Sequence, residues 1–252
     1  MPRFFIRRSQ IYNDTVLLCG DDAHHIARSL RMAVGDKITV CDMQGNEYDC
    51  AITEFNENKE VRAKIESIKS PENEPPVRIR LFQALPKGDK LDTVIQKAVE
   101  CGASEIIPFE SERCVVRMKP EAEQRKTERR KRIAEEAAKQ CGRSLLPEVR
   151  ETVDFARMLD MIKNDGLCLF CYEGDGTEPL GKVLARESER LLGEEGSSIS
   201  VIIGSEGGFS LAEAERIKNA GAVPVGLGKR ILRTETASGF ILACLVYACE
   251  LQ

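Results

Sequence analysis

The sequence predicts an α/β protein in which a small N-terminal β-barrel precedes a parallel sheet. Three observations support this fold class. Residues 1–70 hold short, partly alternating apolar runs separated by turn residues, a pattern typical of small barrels. A proline-rich segment follows and marks a boundary between domains. Beyond it, apolar strands alternate with helical patterns, as in parallel sheets that carry helices on both faces.

The composition is that of a globular protein and excludes several classes of function. The chain has 252 residues, of which 31% are charged, and a net charge of -4. This acidic total excludes a strongly basic RNA-coating protein but permits a local basic face. The first residues lack the apolar core of a secretory signal, and no apolar run approaches the ~18 residues of a membrane span. We therefore expect a cytoplasmic protein, without membrane contact, whose ten cysteines are reduced.

The metal-binding residue types do not form a metal-site pattern. The two histidines, His24 and His25, are adjacent, and the only CxxC pattern, Cys168 to Cys171, lies in an apolar run that predicts a strand. Side chains three residues apart on a strand point to opposite faces, so these thiols would not converge on a metal. No second ligand pair lies nearby, as zinc would need, and the pattern does not begin a helix as in thioredoxin-like sites. We therefore expect no metal.

The first domain is predicted to contain four strands and one short helix. Turn residues rich in glycine, asparagine and aspartate separate the strands. We assign residues 1–70 to this domain and residues 71–76 to a linker, because the latter are polar and proline-rich. The predicted strands cover residues 16–18, 37–41, 48–52 and 61–65, and the predicted helix covers residues 24–32.

The second domain, residues 77–252, is predicted to alternate strands with helices. Gly102 is expected to end the first of these helices, and Ser210 with Glu213 forms a capping box at a later one. Thr234 is a good N-cap for the last helix. The predicted strands cover residues 77–84, 105–109, 167–172, 198–203 and 223–227, and the predicted helices cover residues 89–101, 120–142, 210–220 and 234–251.

Two glycine-rich loops follow strands of the predicted sheet and form the candidate ligand site. The first covers residues 204–208, and the second, residues 226–232, is basic and leads into the last helix. Neither is a G-x-G-x-x-G or a Walker A motif, and each alone could be an ordinary turn. Ligands of open parallel sheets bind at the carboxyl ends of the strands. The pair of loops therefore favours a binding site.

The two loops together carry a resemblance to a known family. Residues 203–208, which read IGSEGG, and residues 232–237, which read LRTETA, resemble the SPOUT methyltransferases. More narrowly, the chain resembles the ribosomal RNA small subunit methyltransferase E family. Ser205 stands where that family often has proline, but the glycines and Glu206 remain, so we still expect cofactor binding. Further matching segments are residues 2–5, 25–32, 35–36, 85–90, 96–98, 105–108, 111–113 and 136–143.

The resemblance implies a fold, a cofactor, a substrate and an assembly. It implies S-adenosyl-L-methionine as methyl donor, N3 of a uridine in the 16S rRNA of the small ribosomal subunit as acceptor, and a homodimer with the active site near its interface. It also implies a SPOUT-type sheet with a C-terminal deep trefoil knot and a PUA-like, RNA-binding N-terminal barrel. The expected cofactor-binding residues are Ile203, Gly204, Ser205, Glu206, Gly207, Gly208, Leu227, Gly228, Ile231, Leu232, Arg233, Thr234, Thr236 and Ala237.

The candidate catalytic residues are Arg233, Glu206 and Glu235. Removal of the imide proton from uracil places negative charge on the carbonyl oxygens, which an arginine can stabilise as an oxyanion hole does. Arg233 is the candidate for that role, and it cannot be the base because a guanidinium stays protonated. Either glutamate could orient Arg233 or accept the proton, and the sequence does not decide between them.

RNA contact requires local positive charge. The densest basic run, residues 125–132, could equally be a solvated helix face, and the chain has no tryptophan for base stacking. Recognition of structured RNA through shape and phosphate is therefore favoured. The alternatives are a non-catalytic RNA-binding or ribosome-binding module and, less consistent with the loops, a Rossmann-type oxidoreductase. The candidate RNA-binding residues are Arg3, Arg7, Arg8, Arg28, Arg31, Arg113 and Arg143.

Overall fold

The chain divides into two compact units. A computed structural model describes residues 1–56, 60–163, 165–193 and 196–251. Unit 1 comprises Met1–Glu74 and Ala138–Leu146, and unit 2 comprises Pro75–Ala137 and Pro147–Gln252. Residues 138–146, which the sequence analysis placed in the second domain, therefore pack with the first unit.

Unit 1 is built on a six-stranded sheet with the strand order β1-β4-β5-β6-β3-β2. The pairing of β1 with β4 is parallel and the others are antiparallel. The end strands β1 and β2 do not pair with each other among the described residues, so the predicted barrel is an open half-barrel. The strands are β1 (Arg3–Phe5), β2 (Ile11–Tyr12), β3 (Thr15–Leu18), β4 (Lys37–Cys41), β5 (Glu47–Phe55) and β6 (Val61–Lys69).

The core of unit 1 follows the alternation of its strands. Along β5, the side chains of Tyr48, Cys50 and Ile52 are buried while their neighbours are more exposed, because successive residues face opposite sides of a strand. They pack in one apolar cluster with residues such as Val16 and Ile38. The partly alternating pattern of the sequence thus corresponds to one buried and one more exposed face of this strand.

The helix predicted at residues 24–32 was wrong at both ends. Helix α1 (Gly20–His24) begins four residues earlier and continues into a π-helical turn, His25–Ser29. Asp21 and Asp22 lie in its first turn, where negative charge is favourable. Ala23 and Ile26 are buried and attach this segment to the sheet.

Unit 2 is built on an eight-stranded sheet in which every pairing is parallel. The strand order is β10-β8-β7-β13-β11-β14-β12, with β9 also paired to β8. This arrangement confirms the predicted α/β class. The strands are β7 (Arg78–Ala84), β8 (Glu105–Glu110), β9 (Glu148–Val149), β10 (Val153–Asp154), β11 (Leu167–Cys171), β12 (Glu178–Pro179), β13 (Ser198–Ile203) and β14 (Val223–Gly226).

Six helices accompany this sheet in the described part of the chain, and two of them, α4 and α5, were not predicted from the sequence. The capping box of Ser210 and Glu213 is present at α6, and Gly102 follows the end of α2 with a φ of 81°. No described helix is both long and apolar enough to cross a membrane. The helices are α2 (Lys90–Glu100), α3 (Pro120–Cys141), α4 (Phe155–Ile162), α5 (Leu180–Gly193), α6 (Leu211–Asn219) and α7 (Thr234–Glu250).

The parallel sheet decides where the candidate loops lie. Because β11, β13 and β14 run in the same direction, the loops that follow them emerge at the same end of the sheet, where the strands have their carboxyl ends. Both glycine-rich loops and the start of α7 lie at this carboxyl end of the sheet. The trefoil knot that the resemblance implies stays a prediction.

Candidate active site

A cleft opens at the carboxyl ends of β11, β13 and β14. Its volume is about 660 Å³, within the range typical of sites for small molecules. Gly207 and Thr236 do not line it, unlike the other predicted cofactor-binding residues. Those that line it are Ile203, Gly204, Ser205, Glu206, Gly208, Leu227, Gly228, Ile231, Leu232, Arg233, Thr234 and Ala237.

Close packing fixes the first glycine-rich loop. A Cβ atom on Gly204 would lie 2.9 Å from Cε2 of Phe209, and one on Gly207 would lie 2.9 Å from the carbonyl oxygen of Arg113. The Phe209 ring in turn contacts the Phe170 ring edge-on, with 5.1 Å between centroids. Only glycine fits these two positions without a shift of neighbouring atoms, so the packing of Phe209 and Arg113 fixes the path of the loop.

Thr234 joins this loop to α7, and its predicted role as N-cap was wrong. Arg233 is the N-cap residue, and Thr234 is the buried first residue of the helix. The Thr234 hydroxyl donates a hydrogen bond to the Gly204 carbonyl oxygen at 2.6 Å and accepts one from Nε2 of Gln83 at 2.9 Å. The hydroxyl therefore binds the glycine loop instead of capping its own helix.

Gln83 is a residue that the sequence analysis missed. It lies near the end of β7 and is fully buried, and within the described part of the chain its Oε1 atom has no hydrogen-bond partner. Such a buried polar atom is costly unless a ligand or water binds it. The available signal was a lone amide in an otherwise apolar strand end, because buried polar side chains are uncommon there.

Arg233 presents an unpaired charge to the cleft. Its side chain is exposed, and no described residue forms a side-chain hydrogen bond or ion pair with its guanidinium. A cation at the N-cap is unfavourable, because the amino end of a helix carries partial positive charge and prefers Ser, Thr, Asp or Asn. The arginine therefore weakens the start of α7 while leaving five donors free for a ligand.

Both candidate glutamates contact one lysine. Nζ of Lys90 lies 2.8 Å from Oε1 of Glu206 and 3.4 Å from Oε2 of Glu235. The backbone N–H of Lys87 also donates to Glu206, at 3.2 Å. Burial acts to raise the pKa of Glu206, but the hydrogen bonds from Lys90 and from backbone N–H groups outweigh it and lower that pKa. The hydrogen bond to Glu206 raises the pKa of Lys90.

Further charged residues line the cleft. Lys229 and Arg230 are exposed beside Arg233, and Arg113 donates to the Gly207 carbonyl oxygen at 3.2 Å. Glu173 is an exposed carboxylate on the opposite loop, and its Oε1 would lie 3.4 Å from a Cβ placed on Gly208. Glu173 was not among the predicted site residues, although it directly follows a predicted strand, which is the signal that identified the other two loops.

The candidate RNA-binding arginines fall into two groups. Arg7, Arg8, Arg28 and Arg31 are exposed on unit 1, whereas Arg143 is buried. Arg143 donates from Nη2 to Oε2 of Glu74 at 2.6 Å. This placement gives Arg143 a structural role in unit 1, and an RNA contact there stays a prediction.

Arg3 resembles Arg143 in its surroundings. Its side chain is 12% exposed, and Nη1 donates to Oε1 of Glu47 at 2.7 Å and to Sγ of Cys41 at 3.0 Å. The basic run of α3 is also divided: Arg130 is buried against Glu123, while Arg125 and Arg132 are exposed. Exposure therefore separates the arginines that can meet a phosphate from those that stabilise the fold.

The cleft fits a nucleoside cofactor with a positively charged sulfonium. The glycine loop offers unhindered backbone groups, Leu227 and Leu232 offer apolar surface, and Glu173 offers a counter-charge. The one CxxC pattern lies in β11, where burial raises the pKa of the Cys168 thiol. The described residues contain no group of three or more histidine, cysteine, aspartate or glutamate side chains placed to hold a metal ion.

Comparisons with known proteins match both parts of the chain. The family model of the RNA methyltransferase domain matches residues 73–246, and the family model of the RNA methyltransferase PUA domain matches residues 18–66. A ribosomal RNA small subunit methyltransferase E from Bacillus subtilis (strain 168) is 35% identical over 254 residues, which cover 100% of this chain and 98% of that protein.

Solved structures show the same architecture. The crystal structure of a ribosomal RNA small subunit methyltransferase E from Neisseria gonorrhoeae bound to S-adenosyl methionine superposes with a TM-score of 0.83 at 30% identity, covering 98% of this chain and 97% of that one. A crystal structure of a protein described only as hypothetical gives a TM-score of 0.89 at 34% identity, with 99% of both chains covered.

Proposed function

This chain belongs to the ribosomal RNA small subunit methyltransferase E family, and we propose that it transfers a methyl group from S-adenosyl-L-methionine to N3 of one uridine in 16S rRNA. The observation that carries this proposal is the placement of Arg233. Its free guanidinium lines the same cleft as the glycine loop, at a helix position where a cation is unfavourable. A ligand-binding role for Arg233 explains why a cation occupies this helix position.

The chain contributes mainly positioning and charge stabilisation to such a reaction. When bound, S-adenosylmethionine supplies an electrophilic methyl group. The glycine loop and residues 226–232 hold the donor, and Arg233 stabilises the charge that develops on a uracil carbonyl oxygen as the imide proton leaves. We assign neither Glu206 nor Glu235 to proton transfer, because both face Lys90 and the pKa of Glu206 is lowered. The proton then passes to solvent at the exposed mouth of the cleft.

The two domains divide the work in this proposal. Residues 1–70, with which residues 138–146 pack, form the PUA-like domain that binds RNA, residues 71–76 form a linker, and the rest of residues 77–252 forms the methyltransferase domain. The two matched family models, at residues 18–66 and 73–246, support this division. The exposed arginines Arg7, Arg8, Arg28 and Arg31 are the phosphate contacts we propose for the first domain. The reaction takes place in the cytoplasm, where small ribosomal subunits assemble.

We propose that the protein acts as a homodimer through α5 and α7. Phe240 and Tyr247 on α7 are 43% and 59% exposed, and they line an apolar groove of about 380 Å³ together with Leu184 of α5. A second copy of this chain would bury these side chains. Sedimentation should give the mass of a dimer for the wild type and of a monomer for Tyr247→Asp.

A transfer assay tests the proposed reaction. Purified protein receives labelled S-adenosylmethionine and small ribosomal subunits that lack the native methyl group, and the product nucleoside is identified by mass. We expect 3-methyluridine at a single position.

The two negative outcomes of this assay have different meanings. Protein that binds both the cofactor and the subunits without methyl transfer would support a non-catalytic ribosome-binding module instead. Protein that binds no S-adenosylmethionine would show that the cleft is not a cofactor site.

A further inference from the structure

Lys90 lies at the centre of a charged bridge between two sides of the cleft. Its ammonium contacts Glu206, in the glycine loop, and Glu235, in the first turn of α7. The side chains of Lys90, Glu206 and Glu235 are 33%, 28% and 23% exposed, so the cluster is partly shielded from water. The three residues come from α2, the loop after β13 and α7, which are far apart in the sequence.

This bridge is the second connection between the same two segments. The first is the neutral hydrogen bond from the Thr234 hydroxyl to the Gly204 carbonyl oxygen, at 2.6 Å. That bond holds the inner end of the loop against α7. The bridge holds the outer end, because Glu206 lies two residues further along the loop and Glu235 follows Thr234. Arg233 directly precedes Thr234, and Glu235 is the next residue.

The bridge differs from an ordinary surface ion pair on the same helix. Lys97 of α2 pairs with Glu100 at 2.8 Å, but both belong to α2 and lie away from the cleft. Such exposed pairs contribute little to stability. Loss of Lys90 would instead leave two carboxylates close together without a counter-charge, and like charges repel most strongly where water is partly excluded. The two segments would then be pushed apart.

We propose that Lys90 is a positioning residue for methyl transfer, which fixes the glycine loop and the first turn of α7 relative to each other through Glu206 and Glu235. Lys90 does not contact substrate in this proposal. It acts through the backbone that carries Arg233 on one side of the cleft and the donor-binding loop on the other. The inference rests on the proposed function, because it concerns the geometry of that reaction.

The effect of Lys90 should fall on turnover more than on cofactor binding. Backbone groups of the loop bind the donor, and the Thr234 hydrogen bond continues to hold that part of the loop. The position of Arg233 relative to the donor is less well fixed, and misplacement of about 1 Å can reduce a rate by about 100-fold. For Lys90→Met we therefore expect kcat to fall at least about tenfold while KM for S-adenosylmethionine changes less than about threefold.

The experiment compares Lys90→Met, Lys90→Arg and the control Lys97→Met with wild-type protein. Steady-state methylation of small subunits gives kcat and KM, calorimetry gives the affinity for S-adenosylmethionine, and thermal unfolding shows that each variant is folded. We expect Lys97→Met to match the wild type. We expect Lys90→Arg to recover most of the lost kcat, because its guanidinium keeps the charge between the two carboxylates.

Several results would overturn the inference. Lys90→Met with wild-type kcat would do so, as would a loss confined to KM or Lys90→Arg as impaired as Lys90→Met. Absence of methyl transfer by the wild type would contradict the proposed function instead, so the two failures are distinguishable.

Discussion

The two ends of the parallel sheet differ in whether their polar groups have partners within the chain. At the amino end, Glu105 is 1% exposed and accepts hydrogen bonds from Arg150 at 2.7 Å, Arg80 at 2.8 Å and Arg78 at 2.9 Å. Arg80 also pairs with Asp165. At the carboxyl end, the charge of Arg233 and the Oε1 atom of Gln83 have no partner among the described residues.

The difference separates groups that stabilise the fold from groups that serve a ligand. A buried carboxylate with three arginine donors is satisfied within the chain, so its loss should destabilise the fold without changing the chemistry. An unpaired arginine at an unfavourable helix position contributes little to the fold. Mutations at the two ends should therefore change different measured quantities.

The largest effect is expected for Arg233→Ala. Removal of a group that stabilises developing charge typically reduces kcat by about 10²–10³-fold. Thermal stability should stay unchanged or rise slightly, because a cation leaves the amino end of α7. The assay is methyl transfer to small subunits under saturating cofactor.

The matched control is Arg230→Ala, which removes another exposed arginine of the same cleft. We expect it to retain more than about a tenth of the wild-type kcat, because Arg230 does not occupy the N-cap of α7 from which Arg233 is proposed to act. Equal losses in the two variants would contradict a specific role for Arg233.

At the opposite end, Glu105→Gln should destabilise the protein by about 2–3 kcal/mol. Breaking a fully buried ion pair typically costs about 3–5 kcal/mol, and we reduce that figure because Arg78 and Arg150 are about half exposed. Denaturant unfolding measures this change. The kcat of the folded variant should equal that of the wild type, and a tenfold loss of kcat would show that the two ends are coupled.

A smaller effect is expected for Gly207→Ala, in the glycine loop. The added Cβ would lie 2.9 Å from a backbone oxygen of Arg113, so the loop must shift. We expect the affinity for S-adenosylmethionine to fall about tenfold, which corresponds to about 1.4 kcal/mol. Gly193→Ala is the control, because a Cβ there meets open space at the end of α5. Similar affinities of both variants would contradict the role of loop packing.

The smallest effect concerns acid stability. Burial acts to raise the pKa of Glu105, but the hydrogen bond from Arg150 and the charge of Arg80 outweigh it and lower the pKa below its ordinary value of 4.5. The stabilisation is therefore present above pH 4.5 and is lost as the pH falls through the lowered pKa. As the pH decreases through that window, the free energy of unfolding should decrease for the wild type and change less for Glu105→Gln. Parallel curves would contradict this assignment.

Much of the fold followed from local patterns in the sequence. The strands at residues 37–41 and 198–203 were predicted to the residue, because turn residues bound short apolar runs. Helix α5 was missed, although Leu180, Val183 and Leu184 have helical spacing and are buried. Two-residue strands such as β9 carry no periodic signal, so pairing with β8 alone defines them.

The candidate site was predicted only in part. The two glycine loops and Arg233 follow from the rule that ligands bind after parallel strands. The hydroxyl of Thr234 was assigned to helix capping, which is its usual local role, but in the structure it donates to Gly204. Nothing local indicates that Lys90, more than 100 residues before Glu206, contacts that carboxylate, because the pairing depends on tertiary packing, in which α2 contacts α7.

Local patterns were enough to establish the α/β class, the positions of the glycine loops and the family, because periodicity, turn chemistry and ordered motifs are local properties. Which charges are neutralised depends instead on tertiary packing. Arg143 and Arg233 have the same side chain, yet Arg143 is buried against Glu74, whereas Arg233 is exposed in the cleft with no described partner. The energy of a charge depends on its solvent exposure and its neighbours, and both are set by residues far away in the sequence.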